Sequence, residues 1–135
     1  MSDEMYEAMK THGAISWHEL MTTDVAGAKA FYGELLGWTL EDMDSGGMDY
    51  TVAKTGDTDR AGIMAIPEES KGMPPMWGAY ITVDDVDESV QRVTALGGKV
   101  LQAPRDIPKV GRYATIADPQ GAVINLMTYV DEACD

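Results

Sequence analysis

The stretch "DVAGAKAFYGELLGW", residues Asp24–Trp38, decides the fold because a second stretch repeats its pattern later in the chain. The second stretch, "DVDESVQRVTALGGK", runs from Asp85 to Lys99. Each begins with Asp, a favoured helix N-cap, and has Gly near its end, where helices commonly stop. Apolar residues recur at helical spacing in between, so the repeat predicts two amphipathic helices of about three turns each.

Strand-like segments surround the two predicted helices in the same order. "AISWHELMTT" precedes the first helix and "WGAYITVD" the second, and three short β-type segments follow each helix, separated by turn signals such as "TGDTD" and "DPQG". The chain is therefore predicted to be one domain, residues 1–135, built from two βαβββ modules at 12–66 and 77–130. The proline-rich "PEESKGMPPM", residues 67–76, is predicted to be the linker between them.

This order of elements resembles the vicinal oxygen chelate superfamily, which includes glyoxalase I, extradiol dioxygenases, fosfomycin-resistance enzymes and bleomycin-binding proteins. The resemblance is carried by "TTDVAGAKAFYGELLGW", "TVDDVDESVQRVTALGGKV" and "ADPQGAVINLM", and it covers roughly Ala14 to Met127. It implies an α+β fold in which the two βαβββ modules form a curved mixed sheet with a cleft. More narrowly, the chain is similar to glyoxalase-like proteins that have a tryptophan in the first strand, and for that group the resemblance implies no single activity.

The resemblance also implies where a metal would be bound, because metal-dependent members place one ligand in the first strand and one in the last strand of each module. The corresponding positions here hold Trp17, Gly78, Asn125 and a residue near Met64. None of them has the imidazole or carboxylate group that transition metals prefer in such sites. The sequence therefore predicts neither a metal nor another cofactor.

The neighbouring His18 and Glu19 in "ISWHEL" do not restore a metal site, because successive side chains on a strand point to opposite faces. If Trp17 faces the cleft, Glu19 does too, and His18 faces the helices, where it is predicted to be partly buried. A buried carboxylate is costly unless it is paired, or it stays protonated through a raised pKa, as in many general acids and bases. Glu19 is therefore the candidate catalytic residue, and a solvated or ion-paired carboxylate is the alternative.

The same alternation defines the predicted ligand-binding residues of the cleft. They combine apolar and aromatic surface with a few polar groups, as small-molecule pockets do. The set is Trp17, Met21, Gly78, Tyr80, Thr82, Asn125 and Met127. Trp17 either stacks on a flat ligand or packs in the core, and the sequence favours neither reading.

Composition excludes some classes of partner. Ten basic and twenty-three acidic residues give a net charge of −13, which disfavours binding to nucleic acids and to anionic membrane surfaces. Four of the basic residues cluster at Lys99, Arg105, Lys109 and Arg112, where they either attract an anionic ligand or belong to a solvated hairpin. The single cysteine, Cys134, and an acidic N-terminal segment without a signal-peptide pattern indicate a cytoplasmic protein.

Three classes of function are compatible with these features. The favoured one is a protein that binds a small, partly apolar or aromatic molecule in its cleft without a metal, with catalysis left open. One alternative is a metal-dependent lyase, isomerase or dioxygenase of the same superfamily with non-standard ligands, and another is a structural subunit whose cleft is filled by its own side chains. A homodimer is expected, because natural proteins usually cover the exposed edges of a sheet.

Overall fold

The structure, a computed structural model, describes residues 9–45, 48–107 and 110–130. The chain divides into two compact units. Trp17–Gly78 forms one unit, and the chain from Ala79 onward forms the other together with the segment that ends at Ser16. We refer to them as the first and the second module, and a strand that crosses a boundary is described with the module that holds most of its residues.

The first module contains a mixed four-stranded sheet. Its elements are β1 (Ile15–Thr22), α1 (Val25–Leu36), β2 (Thr39–Ser45), β3 (Met48–Thr55) and β4 (Thr58–Ala65), followed by a short 3-10 helix at Glu68–Ser70. The strands lie in the order β2-β3-β4-β1, with β1 parallel to β4 and the other neighbours antiparallel. The parallel pair needs a long connection, which α1, β2 and β3 supply.

Helix α1 begins and ends where the sequence predicts. The Asp24 carboxylate accepts a hydrogen bond from the backbone N–H of Gly27 at 2.9 Å, which satisfies a donor that the first turn leaves without a helical partner. Gly37 ends the helix with a left-handed backbone, φ 73°, a conformation that glycine adopts without steric cost.

Asp42 of β2 shows which face of the first-module sheet α1 covers. Lys29 Nζ on α1 and Thr51 Oγ1 on β3 both donate to Asp42 Oδ1 at 2.8 Å, and these two bonds lower the pKa of Asp42. In the strand register Thr51 is opposite Ile63, and Ile63 is opposite Leu20. Residues that share a register position share a face, so the buried Leu20 and Ile63 lie on the α1 side.

The second module repeats this arrangement. Its elements are β5 (Met76–Thr82), α2 (Val86–Val93), β6 (Lys99–Ile107), β7 (Gly111–Ala117) and β8 (Val123–Tyr129). The strands lie in the order β5-β8-β7-β6, with β5 parallel to β8 and the other neighbours antiparallel. Helix α2 contributes to the buried cluster of this module, which consists of Val83, Val86, Ala114 and Leu126. The partly buried Ile81, Val90 and Ile116 pack against it.

Helix α2 is shorter than predicted. It ends at Val93 after 8 residues, and the chain then turns through hydrogen bonds from Gly97 N to Thr94 O and from Gly98 N to Val93 O. The left-handed residue is Gly97, at φ 92°, although Gly98 is the one that aligns with Gly37 in the repeat. The second repeat has two consecutive glycines in its "LGG" turn, and the first of them, Gly97, adopts the positive φ.

The predicted α+β fold of two βαβββ modules is confirmed. Each expected strand occurs close to its predicted position, and the "DPQG" turn forms around Asp118, whose Oδ1 accepts from the backbone N–H groups of Gln120 and Ala122, both at 2.9 Å. Within the described part of the chain, no helix is long and apolar enough to cross a membrane.

Arg112 ties the first turn of α2 to the β6–β7 hairpin. Its guanidinium donates to both carboxylate oxygens of Asp87, at 2.8 and 3.0 Å, and to Asp106 at 3.1 Å. These contacts lower the pKa of Asp87 and raise that of Arg112. Of the predicted basic cluster, Arg112 is thus engaged by acidic side chains of its own module, and Lys109 lies outside the described residues.

Acid titration should reveal the Asp87 contact. Because the pKa of Asp87 is held below its ordinary value of 3.8, its contribution to stability is present above that value and is lost as the pH falls through the folded value. We expect Asp87→Asn to lower the free energy of unfolding at neutral pH and to flatten its pH dependence below about pH 4, as measured by urea unfolding across pH. Equal slopes for wild type and Asp87→Asn would contradict the assignment.

Candidate functional site

The face of the first-module sheet opposite α1 holds the predicted site residues of β1. Since Leu20 lies on the α1 side, alternation places its neighbours on the other face. In the register, Glu19 is opposite Gly62, and Gly62 is opposite Val52 on β3. We call this the helix-free face of the first module; by register and alternation it comprises Trp17, Glu19, Met21, Tyr50, Val52, Gly62 and Met64.

Three side chains on this face form a hydrogen-bonded chain. Trp17 Nε1 donates to Tyr50 Oη at 2.9 Å, and Tyr50 Oη donates to Glu19 Oε2 at 2.8 Å. Glu19 is buried, with 9% of its surface exposed, and Trp17 is half-buried. We refer to this arrangement as the Trp17–Tyr50–Glu19 chain.

Gly62 is the residue that lets Tyr50 reach across the sheet. A Cβ atom at Gly62 would lie 1.7 Å from Tyr50 Oη and 2.1 Å from Tyr50 Cζ, so the phenol occupies the space that any other side chain would fill. Tyr50 belongs to β3 and Glu19 to β1, with β4 between them. The ring therefore crosses β4 at the one position without a side chain.

Tyr50 was not among the residues predicted from the sequence. The alternation in "DYTVAKT" places Tyr50 and Val52 on one face, but it does not show which residues of β1 they meet. That relation depends on the register across β4, which the turn between β3 and β4 sets. The sequence feature most related to this contact was Gly62 in the strand-like "AGIMAI". An isolated glycine in a strand often marks a place where another group comes close to the backbone.

The second module gathers its predicted residues on the face away from α2. Tyr80 is opposite Asn125 and Thr82 is opposite Met127, whereas Ile81 between them packs on the α2 core. Tyr80, Thr82 and Met127 are buried. Each module thus places some of the predicted ligand-binding residues on the face of its sheet opposite its helix.

The polar groups of the second-module set are engaged within that module. The Thr82 hydroxyl donates to the backbone carbonyl of Met9. Asn125 Oδ1 accepts from Thr115 Oγ1 at 2.6 Å, and Asn125 Nδ2 donates to the Ala79 carbonyl at 3.3 Å. The Asn125 contacts link neighbouring strands, and the Thr82 contact joins β5 to the segment before β1. Both polar residues thus have structural roles, and a ligand role for either stays a prediction.

His18 lies elsewhere than predicted. It was expected to be partly buried beneath a helix, and it is exposed. The pairing of β1 with β4 begins at Glu19, so His18 lies before the paired segment. Helix α1 has no buried residue, so it does not pack closely enough to bury His18.

The four positions at which the superfamily binds a metal do not fit one here. Trp17 offers only an N–H donor, Gly78 has no side chain, and the Met64 thioether suits soft ions only. The Asn125 oxygen already accepts from Thr115. Among the described residues, no group of three His, Cys, Asp or Glu side chains is arranged to hold an ion.

The paired βαβββ modules define a protein of the vicinal oxygen chelate class. The chain belongs to the Glyoxalase/Bleomycin resistance protein/Dioxygenase superfamily, whose family model matches residues 14–126. It is 40% identical over 116 residues to CFP32 of Mycobacterium tuberculosis (strain CDC 1551 / Oshkosh), whose name describes it provisionally as a glyoxylase; the match covers 85% of this chain and 44% of CFP32.

The chain is also similar to a second curated protein in sequence and to a solved structure in fold. The anthracycline biosynthesis protein DnrV of Streptomyces peucetius is 34% identical over 126 residues, covering 82% of this chain and 45% of DnrV. The chain thus spans less than half the length of these curated relatives. Methylmalonyl-CoA epimerase from Mycobacterium tuberculosis shares the fold, with a TM-score of 0.64 at 17% identity over 92% of this chain and 95% of the epimerase.

The donor groups at the superfamily's ligand positions generate a prediction about metal content. We expect the protein, purified without chelator and dialysed, to contain far less than one equivalent of zinc, iron, nickel or manganese, because none of these positions offers a suitable donor. Elemental analysis measures this directly. Near-stoichiometric metal that survives dialysis would show that other residues form a site.

Proposed function

We propose that this protein binds a small, planar and largely apolar molecule on the helix-free face of its first module. The observation that carries the proposal is the Trp17–Tyr50–Glu19 chain. An indole held through its N–H keeps its apolar ring faces for packing, and rings stack on flat ligands with little loss of conformational freedom. Glu19 and Tyr50 supply the few polar groups that such sites use to orient a ligand.

The surroundings of Trp17 suit an apolar ligand. Met21 and Met64 are opposite each other on the same face, and both are half-buried. Methionine is unbranched and polarizable, so it adapts to ligands of irregular shape. By contrast, the rings of Trp38 and Trp77 pack against Tyr32, with centroids 5.6 and 5.5 Å away.

The name of one relative supports an aromatic ligand. DnrV is called an anthracycline biosynthesis protein, and anthracyclines are planar aromatic compounds. Because this chain spans less than half of DnrV, the activity of the whole relative is not carried over. We take from the relationship only the class of molecule, which agrees with the indole and thioether surface around Trp17.

The net charge of the chain limits the kinds of ligand that it can bind, and its cysteine content favours one cellular compartment. A net charge of −13 repels anions, so we propose a neutral or cationic ligand rather than a phosphorylated or carboxylated one. The same charge disfavours nucleic acids and anionic membranes. The single cysteine suits a reducing compartment, and we propose a cytoplasmic location on that ground.

A second candidate function is acid–base catalysis by Glu19 on the bound molecule. The observation that favours it is a buried carboxylate that accepts a hydrogen bond from a phenol. A carboxylate shielded from water is the kind of group that abstracts a proton from carbon beside a carbonyl. The electron pair of the broken C–H bond would move onto the carbonyl oxygen to give an enolate, and the proton would move onto Glu19.

Quinizarin, a neutral planar hydroxyanthraquinone, tests the binding proposal. We expect it to bind and to quench tryptophan fluorescence, with an affinity that falls about fivefold or more in Trp17→Leu, since an aromatic contact contributes roughly 1 kcal/mol. Trp77→Leu removes an indole from the same module and should leave the affinity unchanged. Calorimetry on all three proteins measures this, and equal affinities for wild type and Trp17→Leu would contradict the proposal.

Alpha-tetralone, a bicyclic aromatic ketone, separates binding from catalysis. If Glu19 acts as a base, the wild-type protein should catalyse exchange of the ketone's α-proton for deuterium, and Glu19→Gln should reduce the rate about a hundredfold or more while binding persists. Proton NMR in deuterated buffer follows the exchange. A wild-type rate equal to that of buffer would limit the site to binding.

We also propose that the protein is a homodimer in which a second copy covers α1. The helix exposes large apolar side chains, with Phe31 58% and Leu35 63% exposed, and Trp77 lies beside it through a hydrogen bond to Tyr32 at 3.1 Å. Contiguous apolar surface of this kind marks interaction sites.

Light scattering tests the dimer and its surface together. We expect a mass of twice 14.6 kDa at micromolar concentration, and a monomer for Leu35→Glu, because a buried unpaired charge opposes association. Leu96→Glu changes a similarly exposed leucine in the second module and should remain dimeric. A wild-type protein that is monomeric throughout this range would refute the proposal.

A further inference from the structure

The directions of the two hydrogen bonds in the Trp17–Tyr50–Glu19 chain are set by chemistry. An indole N–H can only donate, so Tyr50 Oη must accept from Trp17. The single hydroxyl proton of Tyr50 is then available for Glu19 Oε2, 2.8 Å away. A hydroxyl that accepts one hydrogen bond becomes a stronger donor in the next, so the indole reinforces the contact with the carboxylate.

This contact opposes the effect of burial on Glu19. Removing a carboxylate from water disfavours its charged form, whereas a hydrogen bond donated to the carboxylate favours it. A hydrogen bond from the Tyr50 hydroxyl therefore favours the charged form of the carboxylate that it contacts. It also selects one orientation of the Glu19 side chain, because the phenol itself is fixed in the gap above Gly62.

Lys54 and Arg60 of the first-module sheet have partners on neighbouring strands. Lys54 Nζ lies 3.0 Å from Glu41 and 3.4 Å from Asp59, so this lysine is paired with two carboxylates. Arg60 Nε donates to Thr55 Oγ1 at 2.8 Å. On this face, the Tyr50 hydroxyl is directed at Glu19 Oε2.

We propose that Tyr50 is a positioning residue for Glu19. It can reach Glu19 because Gly62 has no side chain in the space that the Tyr50 ring occupies. Tyr50 keeps its proton and takes part in no bond-breaking step; it orients the carboxylate and stabilises its charge. The inference rests on the proposed function only in treating Glu19 as the site's working carboxylate. The contact and its effect on titration stand apart from any ligand.

Carbon NMR of protein labelled at the glutamate carboxyl carbons tests this inference. The Glu19 signal is assigned by its absence in Glu19→Gln, and its titration is compared in wild type and Tyr50→Phe. We expect the midpoint of the Glu19 titration to rise in Tyr50→Phe, because the charged form loses a hydrogen-bond donor. An unchanged midpoint in a folded Tyr50→Phe protein would overturn the proposal.

Two further variants separate positioning from general packing. Tyr32→Phe removes a hydroxyl from the same module that also accepts from a tryptophan, Trp77, and it should leave the Glu19 midpoint unchanged. Gly62→Ala should raise the midpoint as Tyr50→Phe does, because the new methyl group displaces the phenol. If Gly62→Ala fails to fold, the comparison of Tyr50→Phe with Tyr32→Phe still decides the matter.

The ligand experiments keep this inference distinct from the proposed function. Loss of quinizarin binding in every protein, together with the expected midpoint shift, would reject the function and retain the positioning role. Normal quinizarin binding with an unshifted Glu19 midpoint would retain the function and reject the positioning role. If both hold and wild type exchanges the tetralone proton, the pH profile of that exchange should move with the Glu19 midpoint in Tyr50→Phe.

Discussion

The parallel pairing of β1 with β4 is the constraint on which the first module depends. It sets Glu19 opposite Gly62 and Leu20 opposite Ile63, and so decides which side chains meet α1 and which lie on the helix-free face. A slip of one residue would exchange the two faces along the whole of β1. The carboxylate would then lie under the helix, and the phenol of Tyr50 would lose both partners.

Gly62 adds a second constraint to this register. Its missing side chain leaves room for one aromatic ring, and the ring that enters is Tyr50 from the neighbouring strand. The result is a buried carboxylate with a donor of fixed direction, next to an indole held by its own N–H.

The sequence predicts the fold well because its signals are local. Asp24 and Gly37 bound α1 as expected, since capping and left-handed turns depend on single residues and their immediate neighbours. The site was less predictable because it depends on register across three strands. Alternation placed Glu19 on the same face as Trp17, but Tyr50 could not be linked to them without the pairing of β3, β4 and β1. The exposure of His18 was missed for the same reason, since the start of that pairing is not marked in the sequence.

Joint neutron and X-ray diffraction of deuterated crystals is the most direct test of the central claim. It locates both the rings and the exchangeable protons of the Trp17–Tyr50–Glu19 chain. We predict a deuteron on Tyr50 Oη that points to Glu19 Oε2, a deuteron on Trp17 Nε1 that points to Tyr50 Oη, and no deuteron on the Glu19 carboxylate. A Tyr50 ring turned away from Gly62, or a protonated Glu19 that donates to Tyr50, would contradict the account.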